Sequence, residues 1–379
     1  MSERLFSIDL CTKFVKIGEA SSGEFVGVIR NLAAGQWQLS APVNGLDIDL
    51  DLLGAVDSVK IVNANGVVEF AGIVRPTDEV QAGTTLRVEP SGTVATFTGT
   101  DLFGVLSLRN CWPTPSSTPP WPQAHDTRTG YGSTVAAGYI EANIGANAIP
   151  DRRVDSVVVN DPGVGSESTW TARMQPLGQM VGTVCRESGV VVRSSINAAN
   201  QITYQMTTPT DRSASVLLTD QGDLKALSQL VTPSNGTHVI AAGQGELTAR
   251  AFAVADSGAI GLDRVEDIYE STNIATASGL ISAAESQLDQ RATDISVDGE
   301  VADDAAQRVR YLDTYDLGDW LGVEIDGVRY SSQVETVRFQ LGSMSQSVVP
   351  VLGRTSVNRA LQLRRAVSSI NSQLSRSIS

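Results

Sequence analysis

Two histidines, three cysteines and four lysines among 379 residues leave this chain short of the groups that most often carry chemistry. His125 and His238 are too few for a multi-histidine metal site and lie 113 positions apart. His125 falls in a proline-rich stretch and is expected to be solvated. His238 opens an apolar run, where a hydrogen-bonded histidine of the core is expected in preference to a general base. Cys11, Cys111 and Cys185 form no C-x-x-C pair and are odd in number, which points to buried free thiols and away from a disulfide framework or zinc site. Long apolar runs are also missing. No stretch approaches the roughly 18 residues of a membrane span, and Glu3, Arg4 and Asp9 interrupt the N-terminal segment where a secretion signal needs an apolar core. A soluble protein made in a reducing cytoplasm is expected.

Basic charge is scarce as well. The formal net charge is -14 and the pI about 4.6, so a basic nucleic-acid-binding surface is not expected. Hydrophobic residues make up 41% and charged residues 18%, which is enough apolar material for packed cores. The length implies about two to three domains.

From 5 to 108 the text alternates in short apolar runs, including 25–29, 59–62 and 67–70, punctuated by Asn and Gly. This predicts a β-barrel or sandwich, with a hairpin turn at Asn65-Gly66. Five prolines between Trp112 and Pro122 exclude helix and central strand and mark a boundary. Val135, Tyr139, Ile140 and Ile144 then predict an amphipathic helix, and Met180, Val181 and Val184 a second one over 177–187, ended by Ser188-Gly189. Strands at 190–192 and 202–206 complete an α/β unit.

Strand text resumes at 215–218, 238–242 and 247–254, and 275–312 reads as helical. There Leu280, Ile281, Ala284 and Leu288 form a stripe, Ser282 and Glu285 have capping-box spacing, and 301–309 continues as another helix. Strand, tight turn at Asp326-Gly327 and two further strands follow over 320–339. Ala360, Leu363, Val367, Ile370 and Leu374 close the chain with heptad spacing, which suits either self-association or docking on the rest of the chain.

No catalytic, cofactor-binding or metal-binding residue is assigned. Asp47, Asp49 and Asp51 alternate like calcium ligands, but Leu52 and Ser58 stand where the loop needs glycine and glutamate, so an acidic strand face is predicted. The glycines of Asp161-Pro-Gly-Val-Gly-Ser166 and Gly243-Gln-Gly245 lack the rest of a phosphate loop and read as turns. Asp303/Asp304 and Glu266/Asp267 read as solvated element ends instead of a glycosidase pair. The five tryptophans, 37, 112, 121, 170 and 320, are dispersed along the chain and read as core and interface anchors.

Three segments carry a resemblance: Asn31-Leu-Ala-Ala-Gly-Gln-Trp-Gln-Leu39, Phe97-Thr-Gly-Thr-Asp-Leu-Phe103 leading into Leu106-Ser-Leu-Arg-Asn-Cys-Trp-Pro113, and Tyr315-Asp-Leu-Gly-Asp-Trp320 followed by Asp326-Gly327. With their order from about 5 to 353 the chain resembles the tail-hub family of siphophages, minor tail proteins related in fold to the central hub of contractile-tail baseplates. The resemblance implies an α+β, predominantly β chain: a first tail-tube-like β-barrel over 1–110, a small α/β domain over 111–212, a second β-barrel over 213–355 with a helical insertion at about 272–312, and a C-terminal helix over 356–379. It implies a structural protein without enzymatic activity or cofactor, located at the tail tip of the virion. The expected assembly is a homotrimer that joins the sixfold tube to the threefold tip and lets DNA pass. Its expected partners are the distal tail protein, the tape measure protein and tail fibre or tip proteins. An acidic wall suits the passage of DNA because it repels phosphate. The stretch after the last β-text leaves no room, on this reading, for a lytic or fibre module. Two other readings stay open: a tail-associated cell-wall hydrolase, and a receptor- or carbohydrate-binding tail module.

Overall fold

The computed structural model describes residues 6–353 apart from 77–82, 90–91, 155, 220–222, 224–227, 233, 273, 275, 292–293, 299–308, 326 and 343–345. The heptad segment over 356–379, residues 301–308 of the expected second insertion helix, and Asp303/Asp304 lie outside the described residues. Within them the chain forms 23 strands and three α-helices, α1 (Gly132–Asn143), α2 (Leu177–Glu187) and α3 (Ala277–Arg291).

One 13-stranded sheet takes its strands from both ends of the sequence. Its order is Leu217–Thr219, Trp320–Ile325, Val328–Leu341, Glu24–Arg30, Gln36–Pro42, Gly92–Asp101, Val68–Val74, Ser58–Asn63, Phe6–Thr12, Val15–Ala20 and Leu46–Asp47, with Gln346–Leu352 and Thr84–Glu89 branching from this path. The 14-residue strand Val328–Leu341 is the seam. Its first half pairs with Trp320–Ile325, and its second half pairs with Glu24–Arg30 on one edge and Gln346–Leu352 on the other. Among the described residues no strand pair closes the path into a barrel, so the predominantly β expectation is met while two separately closed barrels are not what the strands form.

Local chemistry explains the turns. Gly66 takes φ +79° in the 63–68 connection, and Asn63 Oδ1 accepts the amides of Asn65 and Val67. The tighter Lys13-Phe14 turn holds two non-glycine residues at positive φ. It is fixed from outside, since Lys13 N donates to Asp57 Oδ1 and Phe14 N to Ser58 Oγ. Helix α2 ends as the sequence indicates: Gly189 is left-handed, and Val190 N reaches back to Cys185 O at 2.8 Å.

Two cores result, and they do not follow the sequence blocks. In the first, Phe25 meets Trp37 and Phe70, and Phe70 meets Phe339 at 5.3 Å, so a side chain from the end of the chain completes a cluster begun at its start. The second core gathers α1, α2 and α3 with the sheet Val157–Asn160, Ile202–Thr207 and Val191–Ile196. All three cysteines are buried free thiols, and burial pushes each thiol up to about 12.

Several local expectations change. Residues 46–52 do not form an acidic strand: only Leu46–Asp47 is extended, a 3-10 helix occupies Leu50–Ala55, and Asp49 caps it by accepting the Asp51 amide. The helical reading of 275–312 fails at Asp294–Asp298, a strand paired with Ser228–Thr232. In α3, Thr276 Oγ1 rather than Ser282 takes the capping position by accepting from Gly279 N, and Ile281 faces solvent while Ala283 is buried. Residues 247–249 form a 3-10 turn before the strand Phe252–Asp256. The two strands expected over 328–339 are one.

Candidate functional site at the junction of the two cores

The three segments that stood out in the sequence converge where the cores meet. In the first, Leu32 adopts φ +55° and buries its side chain in the second core. Its carbonyl lies so close to α2 that a Cβ on Gly182 would meet it at 2.6 Å. Gly35 is equally constrained, because a Cβ there would come within 1.9 Å of Val28 O.

In the second segment, Asp101 ends the strand Gly92–Asp101 and caps the 3-10 helix Phe103–Leu108 through Gly104 N at 2.9 Å. Leu102, Phe103, Val105 and Leu106 thereby enter the second core, and Tyr204 donates its hydroxyl to Leu102 O at 2.8 Å. Complete burial raises the Asp101 carboxyl to about 7 despite the amides of Gly104 and Gly35 that favour its ionised form.

The third segment closes the junction. Asp319 is fully buried and accepts four hydrogen bonds: Arg193 Nη2 at 2.7 Å and Thr210 N at 3.1 Å on Oδ1, and Arg212 Nε at 2.7 Å and Asp316 N at 3.0 Å on Oδ2. Asp316 pairs with Arg193 Nε at 3.0 Å. Burial raises the Asp316 carboxyl, with Arg193 opposing it. Arg193 belongs to the α/β unit, Arg212 to the connection leaving it, and Asp319 to the start of the final strands, so one carboxylate ties three parts of the chain together. Gly318, at φ +85°, is needed here because a Cβ would meet Val191 Cγ1 at 2.5 Å. Nothing in the local sequence marks Arg193 as the partner. The available signal was an arginine directly after the apolar run Val190-Val-Val192, where a charge needs a partner.

The arrangement supplies rigidity. Among the described residues no group of His, Cys, Asp and Glu is placed to hold a metal. His238 Nδ1 lies 2.8 Å from Asp256 Oδ2, which also takes Arg264 at 3.0 Å, at the end of a small sheet. The Gly258 amide, His238 and Arg264 hold the Asp256 carboxyl down at about 2. Glu266 pairs with Arg264 and Asp267 with Arg291. Successive strand residues face opposite sides of the sheet, so these two carboxylates do not converge.

Asp161 Oδ1 accepts from Ser133 Oγ and Gly163 N beside the start of α1, so the 161–166 turn places its own carboxylate where a phosphate loop would leave space. Gly245, at φ +109°, serves the connection between two strands. Two tryptophans expected to be dispersed do meet. Trp112 and Trp121 lie 5.2 Å apart across the proline-rich segment, and the Arg152 guanidinium sits 3.9 Å over the Trp112 ring. His125, in the same segment, is exposed.

The overall fold is shared with solved phage tail proteins. The chain is similar to the 43 kDa tail protein of prophage MuSo2 from Shewanella oneidensis, with a TM-score of 0.56 at 11% identity, covering 92% of this chain and 98% of that one. It is similar to the tail protein from Neisseria meningitidis MC58, with a TM-score of 0.56 at 14% identity over 93% and 97% of the two chains. It is also similar to prophage tail protein gp18 from Listeria monocytogenes EGD-e, with a TM-score of 0.55 at 10% identity over 98% and 99%. Residues 22–354 match the profile of the Siphovirus ReqiPepy6 Gp37-like protein family, and the chain belongs to that family. No curated protein matches the sequence.

Proposed function

We propose that this protein is a non-enzymatic structural hub of a siphophage tail: a trimeric ring at the tail tip that joins the tube and distal tail protein to tip or fibre proteins and lets DNA pass. On this reading, segments 1–110 and 213–355 are the two tail-tube-like halves, 111–212 and the insertion are outward units, and 356–379 is a terminal helix.

The observation that carries the reading is the seam. Because Val328–Leu341 binds the first and last segments into one sheet over a common core, the two halves form a continuous wall, which a ring subunit needs. The net charge of -14 supports it, since a wall lining a DNA path must not bind phosphate. The buried ion-pair junction supports it as well, because it fixes the α/β unit against the wall.

Mass photometry on the purified protein tests the assembly. The expected species is a trimer of about 120 kDa, three times the 40.0 kDa chain. A monomer at all concentrations, together with its absence from tail tips in cryo-electron micrographs of the virion, overturns the proposal. A zymogram with a lytic band abolished by a single carboxylate substitution overturns the non-enzymatic part.

A further inference from the structure

The small sheet formed by Phe252–Asp256, His238–Ala242 and Glu266–Glu270 is covered by α3 on one face, while the other is bare apart from the Phe252 end, where Ala242 is buried and Arg250 lies over the Phe252 ring. On the covered face Val239, Ala241 and Ala255 are buried, and α3 packs against the strands. On the bare face the register sets Val254, Ile240 and Ile268 in one row across all three strands. Phe252, Val254 and Ile268 are 57%, 54% and 60% exposed, and Leu247, Ile260 and Leu262 in the adjoining connections are more exposed still. A sheet face in water is normally polar. A contiguous apolar patch is the mark of a surface that something covers.

The rim of this face is acidic. Around it stand Glu246, Asp256, Asp263, Glu266 and Glu270 against Arg250 and Arg264, a net of -3, while Asp267 faces α3 and pairs there with Arg291. Two copies meeting face to face would therefore bring like charges together.

The complementary segment is present in the same chain. Residues 354–379 contain Arg354, Arg359, Arg364, Arg365 and Arg376 and no Asp or Glu, with the apolar stripe at 360, 363, 367, 370 and 374. The last described strand, Gln346–Leu352, lies against Asp294–Asp298, so the chain approaches its end beside the strand that follows α3. The seven steps from Gly353 to Ala360 reach up to about 25 Å when extended. A helix over 360–374 is about 22 Å long, enough to cross strands of about 17 Å.

We propose that the basic C-terminal segment 354–379 docks as an amphipathic helix on the bare face of this sheet, with its stripe on Phe252, Val254, Ile240 and Ile268 and its arginines over the acidic rim. The sheet then lies between two helices, α3 on one side and the terminal helix on the other, which is the usual way a small sheet buries both faces. The assignment stands apart from the hub reading, since it concerns this unit alone.

The test is photocrosslinking in the full-length protein with benzoylphenylalanine at position 268 and, separately, at 254, read by mass spectrometry of the crosslinked peptides. Crosslinks to peptides within 355–376 are expected, in the same or a neighbouring copy. Replacing both Arg364 and Arg365 with Glu should cut their yield at least fivefold while the circular dichroism spectrum is retained. L363D, which alters only the tail, should do the same without touching charge at the rim. Crosslinks confined to residues 247–270 of another copy, or none to this chain at all, overturn the proposal, as does an unchanged yield in both tail variants.

Discussion

Asp319 and Asp256 each accept from arginine and from backbone amide, two of each for Asp319 and one of each for Asp256, yet one is sealed in the junction and the other lies at the rim of an open sheet. Around Asp319 every lone pair is matched and the donors come from residues as far apart as 193 and 316, so the carboxylate sets the geometry between units. Around Asp256 the partners are His238 of the same small sheet and Gly258 and Arg264 of the connection that follows it, and water competes for each of them. A buried charge organises the whole molecule; an exposed one organises its neighbourhood.

The sharpest way to break that contrast is Asp319→Ala. It leaves two guanidinium groups facing a hole, and the expected loss is about 3–5 kcal/mol in urea unfolding. Asp256→Ala should move the unfolding midpoint far less, and equal shifts for the two would dissolve the distinction. Gly318→Ala comes next. A side chain there is strained in φ and driven into Val191, for an expected loss of about 1–3 kcal/mol by the same measurement.

The two regions also differ in the sign of their pH response. Asp101 rises from 3.8 to about 7 on burial, and Glu187, buried beside Tyr269, also rises to about 7. The folded state holds these protons more tightly, so their contribution is full below about 4 and is lost as pH rises to about 7. Asp256 works in the opposite sense: its contribution is present above about 4 and is lost as pH falls through about 2. Thermal melts of Asp101→Asn between pH 4.5 and 7.5 should therefore be flatter than those of the wild type. The smallest effect is expected at Val88, exposed on its strand, where Val88→Ser should change stability by no more than about 0.5 kcal/mol.

Much of the local structure was legible in the sequence, and the long-range part was not. Helix α2 matches its expected range because its apolar spacing and the following glycine are both local signals. Helix α1 likewise carries the expected apolar positions Val135, Tyr139 and Ile140, all buried. The Asp-Leu-Gly-Asp segment was visible as a signature, but its role was hidden because Arg193 lies 126 positions away. The 3-10 helix at Leu50–Ala55 was missed because the alternating acids and aliphatics of 46–52 mimic a strand, while Asp49 uses its side chain to cap the turn instead. The bare face of the small sheet was legible only once the register had aligned Val254, Ile240 and Ile268, residues from three separate runs.

The seam strand also imposes an order on synthesis. Phe25 pairs with Leu341, 316 positions later, so the edge strand Glu24–Arg30 emerges from the ribosome long before its neighbour exists. At about 5–20 residues per second, that edge and the apolar side chains behind it wait roughly 15–60 s for closure. During that interval it is open to pairing with other nascent chains, which is the setting in which chaperone engagement decides how much of a protein reaches its assembly.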